Sequence, residues 1–157
     1  MNDNTAKDNK KSSRRIAREL AMQGLYQWRM SGNSIPMVEE HLAHEAEDYP
    51  RADRPLLITL LRGASDNVEA LEAEFLPFLD RPADEISPIE RSILLLATYE
   101  FAHRLETPYR VVMNEAIELA KEFGGTDGHR FVNGVLDKLA VRLRKVEVEH
   151  AAKQRGK

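Results

Sequence analysis

Apolar side chains recur at three- and four-residue intervals along most of this chain, and no segment alternates as a half-buried strand does. The pattern predicts an all-α fold. Ser12 or Ser13 can cap a first helix starting at Arg14, in which Ile16, Leu20, Ala21, Gly24, Leu25 and Trp28 form one stripe. Ser31-Gly32-Asn33 ends it, with glycine supplying the left-handed conformation. Ile35-Pro36 opens a short helix to about Ala43, and an acidic loop follows over residues 44–55. Pro55 stands in the first turn of a long helix with Leu57, Leu60, Leu61, Ala64, Val68, Leu71 and Phe75 inside, bent or ended at Leu76-Pro77.

Ser87-Pro88-Ile89-Glu90 supplies a cap, a first-position proline and an acidic first turn, so another helix runs to about Arg104. It is apolar on nearly every side, which assigns it to the middle of a bundle. Thr107-Pro108 repeats the cap-plus-proline start, for a helix that buries Val112, Ala116, Leu119, Ala120 and Phe123 and stops at Gly124-Gly125. Asp127 is expected to cap a last helix with Phe131, Val135, Leu136, Leu139 and Leu143 inside. Beyond Val146 the chain is charged and is expected to fray. The organisation read from this pattern is a disordered basic arm over 1–11, a helical domain over 12–144 and a charged C-terminal tail over 145–157.

Length and composition fit one globular domain: 157 residues, 42% hydrophobic and 31% charged. The absence of cysteine excludes disulfides, a thiolate nucleophile and a Cys-based zinc site, and it suits a reducing cytoplasm. The opening residues lack the apolar stretch of a secretory signal. The longest purely apolar run, residues 93–97, falls far short of the roughly 20 residues that span a bilayer, so no membrane partner is expected. Net charge is −3, but it is unevenly spread: residues 1–30 and 142–157 each carry +4, leaving −11 on the middle. Basic ends around an acidic middle suit a polyanion at the ends and a basic partner elsewhere; charged tails that aid solubility give the same pattern.

Arg14, Arg15 and Arg18, with Lys10 and Lys11 just upstream, crowd the start of the first helix. Spacings of three and four place the arginines on one face, where like charges repel. They also sit at the positive end of the helix dipole, unfavourable for cations unless an anion arrives. Guanidinium forks bind phosphates and stack on unpaired bases, so this cluster points to a nucleic-acid strand. Tyr26 and Phe131 lie off the main apolar stripes and are candidate stacking platforms, although rim packing explains a lone aromatic equally simply. The cations around His103, Arg104 and Arg110 show no pattern.

Signals for catalysis are absent. His41 and His44 have helical spacing but no HExxH context. Gly124-Gly125-Thr126-Asp127-Gly128 follows a helix rather than a strand and lacks the phosphate-loop lysine, so helix-end chemistry explains it. Glu39/Glu40 and Asp84/Glu85 are neighbours on loops or helix ends, with no cleft to make an acid–base pair.

Four blocks of the chain, taken together, resemble the NusB family. They are RRIARELAMQGLY at 14–26, PIERSIL at 88–94, PYRVVMNEAIELAK at 108–121 and HRFVNGVLD at 129–137, in that family's order and spacing. The resemblance implies a compact bundle of about seven helices in two small lobes, with no cofactor or metal and no enzymatic activity. It implies an RNA-binding transcription antitermination factor that takes the single-stranded boxA element of nascent ribosomal RNA. The implied partners are NusE, a small-subunit ribosomal protein, and the elongating RNA polymerase complex, with the protein itself a monomer or homodimer. The resemblance assigns Arg14, Arg15 and Arg18, with Gln23, Tyr26, Asp127 and Phe131, to the RNA or complex side, and Lys10 and Lys11 extend the basic cluster. Ile16 stands where related chains often have a further arginine. Asp84 and Glu90 fall on the NusE-facing side, in keeping with the acidic middle. An RNA cytosine methyltransferase, to which such a helical domain can be fused, would need an α/β domain and a catalytic cysteine, and the chain has neither. A helical adaptor that binds protein but not RNA is separated from the first reading by RNA titration.

Overall fold

A computed structural model describes residues 11–156. The expected basic arm therefore lies outside the described residues except for Lys11, and Lys10 lies outside them altogether. Eight α-helices and three short 3₁₀ turns make up the described chain, with no strand among the described residues. The helices are α1 (Ser13–Ser31), α2 (Ile35–Glu45), α3 (Arg54–Asp66), α4 (Val68–Phe75), α5 (Pro88–His103), α6 (Tyr109–Phe123), α7 (Gly128–Leu143) and α8 (Lys145–Arg155). The 3₁₀ turns are Tyr49–Arg51, Leu76–Phe78 and Ala83–Glu85. The all-α expectation holds, with one helix more than the expected seven or so.

Most helix ends follow local chemistry. Ser12 Oγ accepts the Arg15 N–H at 3.0 Å to start α1, and Gly32, at φ 75°, closes it by donating to the Trp28 carbonyl at 3.1 Å. Asp53 caps α3 through the Leu56 N–H at 3.1 Å, and Ser87 caps α5 through the Glu90 N–H at 3.1 Å. The long third helix predicted from the apolar stripe is instead two. Asn67 donates its side-chain amide to the Gly63 carbonyl at 2.8 Å and leaves helical geometry, so the chain restarts as α4.

α5 sits at the centre, as its all-round apolarity predicts. It packs on α1, α3 and α4 on one side and on α6 and α7 on the other, joining a lobe of α1–α3 to a lobe of α6–α8. Phe75, Phe101, Ile93, Leu94, Leu95, Leu60 and Leu61 are fully enclosed between them.

The C-terminal segment departs from expectation: residues 145–155 form a helix where fraying was expected. Its anchor is Arg144, the last residue of the expected helical domain and one of the cations of the basic C-terminal end, which is only 5% exposed. All five of its N–H bonds are used. Nε donates to the Phe101 carbonyl at 2.7 Å; Nη1 donates to the Thr107 carbonyl at 3.0 Å and Glu147 Oε1 at 2.7 Å; and Nη2 donates to the carbonyls of Glu100 and Arg104, both at 3.0 Å. Arg144, at the junction of α7 and α8, thus caps the end of α5: it is a second donor to the Glu100 and Arg104 carbonyls, which also accept from the Arg104 and Thr107 N–H groups, and the donor to that of Phe101. Glu147 in turn accepts the Tyr109 N–H at 2.7 Å and caps α6, a role the sequence suggested for Thr107, whose hydroxyl has no partner. Arg144→Met is expected to cost about 2–4 kcal/mol in urea denaturation, since the Phe101 and Thr107 carbonyls lose their donor and Glu147 its cation, and to reduce helical circular dichroism as α8 detaches. Unchanged stability would show that α8 holds by other contacts.

Candidate nucleic-acid interface

α1 runs antiparallel to α6, with Lys11 against the C-terminal turn of α6 and Arg15 and Arg18 against its middle. The cations that crowd the start of α1 meet the protein's own carboxylates there. Arg18 is 4% exposed and grips Glu100 of α5 with Nε and Nη2, both at 2.9 Å, while Glu115 stands 3.7 Å away. Burial opposes its charge, but the bonds to Glu100 outweigh that and hold the guanidinium pKa above its ordinary value. A side chain so enclosed cannot meet an RNA phosphate, and the assignment of Arg18 to RNA binding is corrected: it is an internal brace.

Arg15 is partly exposed and donates from Nε to Glu115 Oε2 at 2.9 Å, with Nη2 in an ion pair 2.9 Å from the same oxygen, which raises its pKa. Lys11 donates to Glu19 at 2.6 Å and to both carboxylate oxygens of Glu122, at 3.0 and 3.1 Å. Burial opposes the ammonium charge of Lys11, yet these bonds raise its pKa. Burial also pushes the Glu19 carboxyl above the usual range, against the pull of Lys11. Arg14 alone of the three arginines is exposed with no carboxylate partner among the described residues. The cleft between α1 and α6 measures about 40 Å³, room for water but not for a nucleotide. A strand can reach these cations only along the outer edge of α1. Tyr26 is exposed on the same side of the helix as Arg15, about 16 Å further along at 1.5 Å per residue, and Gln23 is half-buried beside that line.

The remaining candidates gather around the α6–α7 loop. Glu90, expected to face a partner, is 6% exposed; Oε2 accepts the Gly125 N–H at 3.0 Å and lies against Gly128, where any side chain would collide with it. Its assignment to a partner surface is corrected: the carboxylate braces the loop. Asp127 is exposed in the left-handed region at φ 62° and forms no side-chain cap, contrary to expectation; its nearest cation is Arg130 at 3.8 Å. Phe131 is not an open stacking platform, being 7% exposed with the Arg81 guanidinium 4.1 Å from its ring centre. Asp84 is exposed on the Ala83–Glu85 turn, next to Glu85 and near Asp80, whose pKa is lowered by the Arg81 hydrogen bond.

Sequence reading missed the carboxylates that meet the cations. A signal for them existed: Glu115, Glu118 and Glu122 recur at intervals of three and four, one acidic face of α6. No comparable local signal announced Arg81. Among the described residues, no helix is long and apolar enough to cross a membrane, and no group of three or more acidic or histidine side chains is placed to hold a metal.

The family model for NusB matches residues 15–141. This chain belongs to the NusB family. A transcription antitermination protein NusB from Azoarcus sp. (strain BH72) is 66% identical over 139 residues, covering 88% of this chain and 90% of that protein. The NusB of Burkholderia mallei (strain SAVP1) is 54% identical over 140 residues, covering 89% and 96%. Among solved structures, T. maritima NusB superposes with a TM-score of 0.69 at 27% identity, covering 80% of this chain and 89% of that one. A crystal structure of antitermination factors NusB and NusE in complex with dsRNA also matches at a TM-score of 0.69; at 22% identity it supports the NusB fold alone.

The buried pair gives a test. Arg18→Ala should cost about 3–5 kcal/mol because Glu100 is left charged and unpaired, and Arg18→Lys should recover only part of it, while Arg14→Ala changes stability by under about 0.5 kcal/mol. Equal stabilities for Arg18→Ala and Arg14→Ala in denaturant titration would refute the division between inner and outer cations.

Proposed function

We infer that this chain is an RNA-binding transcription antitermination factor. It takes the boxA element of nascent ribosomal RNA together with NusE, joins the elongating RNA polymerase, and acts in the cytoplasm by binding rather than catalysis. The observation that carries this reading is the 66% identity to a transcription antitermination protein NusB across nearly the whole of both chains. The fold shared with a NusB that was crystallised with NusE and RNA supports it.

Within this reading Arg14 is the leading phosphate contact, with Arg15 and Lys11 beside it and Tyr26 available for a base to stack on. Gln23, Asp127 and Phe131 are secondary: Gln23 and Asp127 offer polar contacts, and Phe131 acts through the packing of Arg81 on its ring. Lys10 continues the basic run in sequence. The exposed acids Asp80, Asp84 and Glu85 form the surface best suited to NusE, a ribosomal protein that is itself basic.

Fluorescence titration of boxA and scrambled RNA, each with and without NusE, tests the whole reading. Preference for boxA that strengthens with NusE is expected, and equal binding of the two RNAs, or none, would overturn it. Across a salt series, Arg14→Ala should flatten the slope of log K against log salt by about 0.7, the share of one phosphate contact on a single strand. An unaltered slope would remove Arg14 from the interface. Asp84→Lys is expected to slow association with NusE by about three- to tenfold with little change in dissociation, as for a rim charge. Wild-type association kinetics would place NusE elsewhere.

A further inference from the structure

We propose that the acidic face of α6 is an internal competitor for RNA, occupying the cations at the start of α1 that a strand must take over. This rests on the RNA-binding reading above and adds to it the residues that hold the affinity down.

Glu115, Glu118 and Glu122 lie along one face of α6, and two of them already occupy places that RNA phosphates would take. Glu115 occupies Arg15 through one hydrogen bond from Nε and one ion-pair contact with Nη2, both 2.9 Å, and Glu122 offers both oxygens to Lys11 at 3.0 and 3.1 Å. Glu118 adds negative charge facing the same cleft. Lys11, Arg15 and Arg18 are therefore outnumbered by Glu19, Glu100, Glu115, Glu118 and Glu122, even with Lys121 3.8 Å from Glu118, so the seam offers a polyanion little net attraction.

The carboxylates differ in how firmly they are held. Glu115 also faces buried Arg18 and has only 14% of its side chain exposed, whereas Glu122 is 47% exposed and its partner Lys11 is 31% exposed. Exposed pairs of this kind contribute little to stability and exchange readily. An arriving phosphate displaces Glu122 from Lys11, which keeps its 2.6 Å bond to the enclosed Glu19, and the freed carboxylate returns to solvent: one anion replaces another. The exchange cost is the same for every RNA sequence. It leaves the ratio of specific to nonspecific affinity unchanged while lowering both, which clears weakly held RNA from the protein and leaves the tightly held element bound.

The test is a double-mutant cycle on the full chain with Glu122→Gln and Lys11→Gln, read by fluorescence anisotropy on boxA RNA and scrambled RNA of equal length. Thermal melts of each variant check the fold. Glu122→Gln should tighten both RNAs by about three- to fivefold and steepen the salt slope by up to about 0.7. Lys11→Gln alone should weaken both RNAs by about two- to threefold, since the phosphate loses a contact whose gain the displaced acid partly offsets, and in the Glu122→Gln background its cost should grow by the whole of the gain from Glu122→Gln. Glu40→Gln/Glu45→Gln, on α2, controls for a general loss of negative charge and should give less than half that gain. The proposal is overturned if Lys11→Gln has the same effect in both backgrounds, or if the α2 control tightens RNA as much as Glu122→Gln. Discrimination between the two RNAs by the wild type, with no effect of Glu122→Gln, would defeat the competitor alone. Failure of the wild type to bind either RNA, with or without NusE, would defeat the RNA-binding reading and the competitor with it.

Discussion

Burying α5 on every side creates two electrostatic problems at one place, and two arginines from opposite ends of the sequence solve them. Glu100 is 2% exposed, and the carbonyls at the end of α5 have acceptor capacity to spare, that of Phe101 lying beyond the last helical bond. Arg18 of α1 neutralises the carboxylate, and Arg144, at the α7–α8 junction, takes the carbonyls of Glu100, Phe101 and Arg104. An uncompensated charge or carbonyl in such a site costs several kcal/mol, so these bonds fix how both lobes seat on the central helix. They also decide the function-bearing surface. By turning Arg18 inward, the fold leaves Arg14 outside and Arg15 on the edge.

Helices and most of their ends were legible in the sequence because their causes are local. Ser12, Asp53 and Ser87 are capping residues with their targets three residues on, and Gly32 supplies a conformation that other residues avoid. What could not be read depends on partners distant in the chain. The apolar stripe runs unbroken from α3 into α4, and the break at Asn67 comes from a side-chain bond that no periodicity reports. α8 has little apolar content of its own and is placed by Arg144 and Glu147 meeting the ends of α5 and α6, some 40 residues away. Glu90 has the position of an ordinary first-turn acid, and only the fold brings the Gly124–Gly128 loop onto its carboxylate.

Cations crowded at a helix start do not by themselves call for a nucleic acid. Repulsion among Arg14, Arg15 and Arg18 does require neutralisation, but sequence position cannot say whether the anion comes from outside. Here α5 and α6 supply it for two of the three. The specific blocks at 108–121 and 129–137 carried the functional reading instead, because they identify a family whatever each cation touches. Glu115 and Glu118 sit inside the first of those blocks and Glu122 directly follows it, so the feature that identifies the chain also holds most of the acids that line this seam.

That arrangement changes what the basic end can contribute to recognition. A free cation draws RNA from a distance and releases counterions on contact, giving affinity that falls steeply with salt and ignores sequence. A cation already held by a carboxylate has little long-range field, and ions released from the RNA are balanced by ions taken up by the displaced acid. Under the proposed function, contacts through Arg15 and Lys11 would therefore add short-range positioning more than attraction. Sequence preference must then come from groups that meet bases, for which Tyr26, exposed on the line of Arg15, is the aromatic in place. A surface built this way holds RNA through the fit of a particular strand and gains little from the bulk negative charge that all RNA shares.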